Sequence, residues 1–220
     1  MWHVEETSGS AASFHGRDLM AGEAPALWWF EVDHPALVLG SSQPIAHVDA
    51  AACARRGVDV VRRRSGGGAV LLRPGDHLWV DVVIARDHPR WTDDVGASAW
   101  WLGDVWCAAL ATLGVDGVVH RGPMVRRAWS AQVCFAGIGG GEVLVDGRKL
   151  VGISQRRTRH GARFQCALYF RWDAPAHVEL LAEPKPAVSD LADLVATVDA
   201  EPATIRAALA EALGAPTIPH

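Results

Sequence analysis

The sequence predicts an α+β fold: a mixed, mostly antiparallel sheet flanked by helices. Three observations carry this. Strand-like segments outnumber helical ones, and neighbouring strands are joined by short turns more often than by helical crossovers. Half of the 220 residues are apolar and 21% are charged, which is enough to build one sizeable core. No repeat, low-complexity tract or linker divides the chain, so residues 1–220 are expected to form a single domain.

The elements follow in order. A short helix is expected over Arg17–Ala26, although Gly22 interrupts it. Leu27–Val32 and Ala36–Gly40 read as strands joined by a turn at Asp33-His34-Pro35. Val48–Arg56 is a short helix stopped by Gly57, and Val58–Arg63 alternates as a half-buried strand does. Ala69–Leu72 and Leu78–Ala85 are strands around the turn Pro74-Gly75-Asp76. Asp93-Asp94 could open the next helix, because negative charge offsets its orphan N–H groups. Apolar residues recur at helical spacing from Ser98 to Leu113, and Gly114 ends the run. Trp100, Trp101 and Trp106 lie on this helix, where core packing outweighs ligand stacking as an expectation. Further strands are expected over Val115–His120, Glu142–Val145, Leu150–Arg157 and Arg163–Phe170. Helices over Ala176–Leu181 and Pro202–Leu213 close the chain, the second with Pro in its first turn.

A net charge of -4 argues against a nucleic-acid binder held by overall charge and against a membrane-surface binder. No apolar run reaches the roughly 18 to 20 residues that span a bilayer, and Met1–Ser10 lacks a basic head before an apolar stretch. A cytoplasmic protein is expected. The cysteines at 53, 107, 134 and 166 form no close pair, which excludes a CxxC redox site and the common zinc knuckles. No metal-ligand spacing stands out. Of 21 basic residues only Lys149 and Lys185 are lysine, so each marks a place where a compact ammonium is of use.

Two segments carry chemistry. Arg62-Arg63-Arg64-Ser65-Gly66-Gly67-Gly68-Ala69-Val70 puts three glycines between two strands, where the backbone lies open to a ligand. The arginines and the Ser65 hydroxyl could meet a phosphate or carboxylate. Neither a Walker loop nor a dinucleotide fingerprint is present, and a flexible hairpin loop is the plain alternative. In the second segment Lys149 follows a tight Asp146-Gly147 turn at the start of a strand. Val151 and Ile153 should share its face, leaving the ammonium partly desolvated and able to stabilise an oxyanion. The alternative is a lysine that reaches out to water.

Together these segments resemble the lipoate–protein ligase family, a group that also holds octanoyl transferases and biotin–protein ligases. The RRxSGGGAV pattern is matched by Arg62–Val70, and GxKxxGxAxxR by Gly147–Arg157 with Ser154 in place of Ala. Gly40-Ser41-Ser42-Gln43 and Val188–Leu194 are weaker echoes. The resemblance covers about residues 15 to 213. It implies a sheet flanked by helices, with an acyl chain lying beside the glycine loop. It implies attachment of lipoyl or octanoyl groups to one lysine of the lipoyl domains of 2-oxoacid dehydrogenase complexes or of the glycine-cleavage H protein. Lys149 then faces the acyl carbonyl and adenylate phosphate. Arg63 and Ser65 flank the activated acyl group, Gly66, Gly67 and Gly68 line the channel, and Gly152 and Glu142 complete the acyl- and adenylate-binding set.

The sequence departs from the ligase pattern in several places. Gly139-Gly140-Gly141-Glu142 stands where GRND is usual, Leu72-Arg73 where a His-Asp pair is common, and Gln165-Cys166 where His-Gly is common. An accessory domain that helps many ligases form acyl-adenylate would have to come from a separate chain. The resemblance also points to Cys134, because one transferase branch carries a nucleophilic Cys in a Cys-Phe loop upstream of the same lysine, with an acid between. Cys134-Phe135, Glu142 and Lys149 have that order. A thiolate near an ammonium, here that of Lys149, is the better nucleophile. The resemblance puts a lipoate–protein ligase first, working through acyl-adenylate with ATP and Mg2+; the alternatives are an octanoyl or lipoyl transferase using a Cys134 thioester and no cofactor, and a non-catalytic lipoate-binding subunit. The adenylate loop of biotin ligases is absent, which disfavours biotin transfer.

Overall fold

The strands divide between two sheets in the computed structural model, which describes residues 1–18 and 24–216. The chain opens with strand β1 (His3–Gly9) and helix α1 (Ala11–Gly16), the latter capped by Ser10, whose side chain accepts from the Ser13 N–H. Strands β2 (Ala26–Val32) and β3 (Ala36–Leu39), helix α2 (Ala50–Arg56) and strands β4 (Asp59–Arg62), β5 (Val70–Leu72) and β6 (His77–Ala85) follow. Then come α3 (Trp100–Ala111), β7 (Val118–Val119), β8 (Val143–Val145), β9 (Arg148–Arg157) and β10 (Gly161–Tyr169). Helices α4 (Ala174–Glu179), α5 (Val188–Ala192) and α6 (Pro202–Leu213) complete it.

The large sheet has seven strands in the order β1-β2-β6-β10-β9-β8-β7, antiparallel except for the β1–β2 pair. The small sheet is β4-β3-β5, with β3 parallel to β4 and antiparallel to β5. The period-two alternation of β6 builds both faces. Leu78, Val80, Val82 and Ile84 join Leu102 and Trp106 of α3 and Ile205 and Leu209 of α6 on one side. Trp79 and Val83 point the other way, onto Val38 and Leu72 of the small sheet and Phe14 of α1. The space between the sheets holds the site described below.

The expected class and most strands are found, with five differences. The β5-β6 turn is not a hairpin within one sheet but carries the chain from the small sheet to the large one. Strand β4 is mostly exposed rather than half-buried, being an edge strand. Asp94 accepts from the Gly96 and Ala97 N–H groups in a turn before α3, and Ala99 caps that helix without a side-chain bond. Strand β1 and helix α5 were not expected. The helix expected over Arg17–Ala26 falls largely on residues 19–23, outside the described ones; Arg17 caps α1 and Ala26 begins β2. Trp106 is buried in the core and Trp101 stands edge-on to Phe164, which bears out core packing for these two. No helix among the described residues is long and apolar enough to cross a membrane.

Gly103 lets α3 reach the loop that carries Glu142. A Cβ there would lie 2.4 Å from the Gly141 carbonyl oxygen and 2.7 Å from Val119. His177 on α4 is buried against Trp172, their ring centres 4.0 Å apart, and burial pushes its pKa from 6.5 down to about 4. His15 on α1 is pushed down to about 3 by burial and by the Arg63 and Arg163 charges. Both rings are neutral when folded but take up protons when unfolded below pH 6.5. Their contribution to stability is therefore complete above that pH and is lost as pH falls towards the folded values. His77, which burial also pushes down to about 4, acts in the same direction, so urea melts between pH 6.5 and 5 should show stability falling by up to about 4 kcal/mol per pH unit. A flat profile across that window would contradict the burial of these rings.

Candidate active site

The loop after β4 is wound around Arg63. That guanidinium is only 3% exposed, and it donates from Nη1 to the Val38 carbonyl (3.1 Å) and from Nη2 to those of Gly66 (2.6 Å) and Gly68 (2.9 Å). It does not face solvent as a free anion site would. Arg62 likewise holds the Gly40 and Gln43 carbonyls, while Arg64 is exposed. The Gln43 amide ties Gly40 N–H to the Gln132 carbonyl, which gives the weak Gly40–Gln43 echo a structural role.

The glycine loop closes on the loop that carries Cys134. Ala69 N–H donates to the Gln132 carbonyl, and Cys134 N–H to that of Ala69 (2.9 Å). A Cβ on Gly68 would run into the Val133 main chain at 2.7 Å. Gly67 has φ +100°, and a Cβ there would lie 2.9 Å from Arg63 Nη2 and 3.4 Å from Cys134 Sγ. Around Gly66 there is open space, so its part is to supply a carbonyl to Arg63. Gly67→Val should combine about 1 to 3 kcal/mol of backbone strain with a side chain pressed onto the thiol. Alkylation of Cys134 by iodoacetamide should slow at least tenfold in that variant. An unchanged rate would show that the loop does not wall the sulfur.

Cys134 opens a single 3-10 turn, Cys134–Ala136, and is half-buried. Arg63 Nη2, whose two N–H groups meet the Gly66 and Gly68 carbonyls, also lies 3.8 Å from its sulfur. Lys149 is reached through a turn in which Asp146 and Gly147 both have positive φ, 51° and 74°, as a two-residue hairpin of primed type requires. The ammonium does not reach water: the residue is 2% exposed. Nζ pairs with Glu142 Oε2 at 2.7 Å, donates to the Cys134 carbonyl at 3.1 Å and lies 5.1 Å from the Phe135 ring centre. By contrast Lys185, the other lysine, forms only a loose pair with exposed Glu183. Two of the three ammonium protons thus have partners, which leaves one for a ligand in the adjoining cleft.

Glu142 is 4% exposed, and both its oxygens are engaged. Oε2 also accepts from Gly139 N–H (2.6 Å) and Oε1 from Ile153 N–H (3.2 Å). The acid therefore fixes Lys149 and the loop before it. Gly152 makes room for Phe135, because a Cβ would lie 2.9 Å from its ring.

Two cavities meet at the thiol. One is a narrow slot between the sheets, about 40 Å³, lined mainly by apolar groups including Val38, Leu72, Trp79 and Phe135. The other is a wide polar cleft of about 530 Å³ that includes His47, Gly66 to Gly68, Arg126, Glu142 and Lys149. Cys134, Ile153 and Ser154 line both. Besides Arg63, the polar side chains that line the slot are Ser154, Gln165 and His15, joined in a chain of contacts through Ser65 behind them. Ser65 Oγ lies 3.0 Å from Ser154 Oγ and donates to Gln165 Oε1 (2.9 Å), and Gln165 Nε2 lies 3.1 Å from His15 Nδ1. His15 and Trp79 were missed by sequence reasoning, since neither belongs to a motif; Arg126 was missed because an exposed loop arginine carries no pattern.

The catalytic-domain model described as "Lipoyl protein ligase A/B catalytic domain" matches residues 15–216. The octanoyltransferase LipM of Carboxydothermus hydrogenoformans is 32% identical over 145 residues, covering 63% of this chain and 52% of that protein. LipM of Kyrpidia tusciae is 31% identical over 206 residues, covering 86% and 73%. A second relative, LipM of Moorella thermoacetica, is matched over 49% of its length, so the chain spans about half of some curated relatives. Among solved structures, the bipartite lipoate protein ligase of Thermoplasma acidophilum aligns with a TM-score of 0.74 at 19% identity, covering 98% of this chain and 85% of that one. A Thermoplasma acidophilum structure with bound lipoic acid aligns at 0.73 over 97% and 84%, also at 19% identity. At that identity the likeness is one of fold.

Proposed function

Because the chain belongs to the lipoyl protein ligase A/B catalytic-domain family, we propose that it is an octanoyl or lipoyl acyltransferase that carries the acyl group as a thioester on Cys134. The observation that carries the proposal is the position of the thiol, at the neck between an apolar slot and an open cleft with a guanidinium 3.8 Å from its sulfur. The acyl chain occupies the slot. The donor, and then the acceptor lysine of a lipoyl domain, approach through the cleft.

In the first step the Cys134 thiolate attacks the carbonyl carbon of a donor thioester. The new C–S bond forms, the donor C–S bond breaks, and the departing thiolate takes up a proton. In the second step the neutral amine of the acceptor lysine attacks the same carbon; a C–N bond forms, Cys134 leaves as thiolate and the amine loses a proton. The Arg63 guanidinium charge, 3.8 Å from the sulfur, offsets that of the thiolate in both. The unpaired Lys149 proton meets the carbonyl oxygen as negative charge develops on it, and Glu142 keeps the ammonium there. Ser65 acts through Ser154 and Gln165, which line the slot; Gly67 leaves the thiol uncovered, Gly66 supplies a carbonyl to Arg63, and Gly68 and Gly152 give the Cys134 loop its room.

The ligase reading, first in order on sequence, keeps the glycine loop as its support. Mg2+ on Glu142 would have to displace Lys149 Nζ and two main-chain donors. The two readings part in one assay, transfer from an octanoyl or lipoyl thioester to a lipoyl domain. Transfer without ATP is the expected result. Lipoate-driven ATP–pyrophosphate exchange with no thioester-dependent transfer would install the ligase reading, with or without a partner chain. Acyl binding with neither reaction would indicate a non-catalytic subunit.

A further inference from the structure

Two side chains that line the largely apolar slot carry a buried nitrogen without a hydrogen-bond partner among the described residues, Arg63 at Nε and His15 at Nε2. Arg63 is the guanidinium around which its own loop winds, which leaves His15. His15 is 7% exposed and stacks on Trp79, ring centres 4.6 Å apart and planes 29° from parallel. Its Nδ1 is met by Gln165 Nε2, and its Nε2 has no hydrogen-bond partner among the described residues. Gln165 is oriented from its other end, where Oε1 accepts from Ser65 Oγ, so the amide presents its NH2 to Nδ1. Nδ1 then accepts, and the ring proton belongs on Nε2. The ring is held in place by Arg163, which pairs with buried Asp81 and donates to the carbonyls of Phe14 (2.7 Å) and Arg17 (3.0 Å) at the end of α1. Burial keeps the imidazole neutral across the physiological range.

We propose that the His15 Nε2–H is a specificity-determining donor, which selects medium-chain acyl groups carrying a heteroatom acceptor, namely the sulfurs of a dithiolane, over plain saturated chains. The inference rests on the reading of the slot as the acyl site. The N–H has no partner in the free chain among the described residues, and a saturated chain drawn into the slot leaves it so. A lipoyl chain brings sulfur, a weak acceptor, to the same wall. Discrimination comes from the partner that the dithiolane alone supplies to a donor already buried without one.

The test is binding rather than turnover, which keeps it separate from the transfer chemistry. Affinities of lipoamide and octanamide are measured by calorimetry on the full chain and on His15→Phe, which keeps the ring stacked on Trp79 and removes the donor. Lipoamide should bind the unaltered protein about tenfold more tightly than octanamide. In His15→Phe the ratio should fall below about twofold, chiefly through weaker lipoamide binding. No preference in the unaltered protein would overturn the proposal, and that comparison needs no variant to fold. A preference that survives His15→Phe, or equal loss of both ligands in a folded variant, would also overturn it while leaving the acyl slot intact. If neither amide binds and no acyl transfer is found, the slot reading itself fails and the proposal falls with it.

Discussion

Cys134→Ser should lower ATP-independent acyl transfer to a lipoyl domain by more than about a thousandfold, because a hydroxyl beside Arg63 is not the nucleophile a thiolate is. The exchange is nearly isosteric and the residue is half-buried, so the thermal midpoint should barely move. That pairing of a large kinetic and a small structural effect separates a nucleophile from a packing thiol. Cys166, which also lines the slot, provides the comparison: it is fully buried, and burial pushes its thiol far above the usual range. Cys166→Ala should keep transfer within about tenfold of the unaltered protein. A loss below about tenfold in Cys134→Ser, roughly 1.4 kcal/mol of barrier, would remove the covalent route.

The second large effect is at Lys149. Lys149→Met leaves the Glu142 carboxylate buried without its cation, which should cost about 3 to 5 kcal/mol of stability and abolish transfer. Lys149→Arg keeps the charge, but its planar fork has to fit where Gly152, Phe135 and the Cys134 carbonyl leave room for a compact ammonium. Transfer should fall at least a hundredfold. The double variant Lys149→Met with Glu142→Gln removes the stranded charge, so stability should partly return while activity does not. Urea melts and transfer rates measured together decide this. A Lys149→Arg protein with near-normal turnover would mean that the ammonium only supports the loop.

Much of this site was legible because chemistry and folding make the same demands on its residues. A lysine rare in an arginine-rich chain, a glycine triplet between strands and a primed-turn pair at Asp146-Gly147 each constrain the backbone strongly enough to show in one dimension. What escaped was set by tertiary contacts. Arg63 reads as one of three anion-binding arginines, yet it is buried as the post around which its own loop winds. Charge beside the thiol was expected from Lys149; the ammonium is held by Glu142 and the Cys134 carbonyl, and a second cation, Arg63, lies 3.8 Å from the sulfur. Strand β1 was missed because HVEETSG has one aliphatic residue among polar ones; it forms by pairing with β2 at a sheet edge. The division into two sheets was not visible in turn chemistry, since Pro74-Gly75-Asp76 would serve a hairpin equally well.

The most direct test of the account is the intact mass of the chain after incubation with an octanoyl or lipoyl thioester, without ATP and without an acceptor. The predicted result is a gain of one acyl group, mapped to Cys134 by peptide digestion, released by hydroxylamine and discharged when a lipoyl domain is added. Absence of any adduct under conditions where transfer proceeds, or an adduct on another residue with Cys134 unmodified, would contradict it.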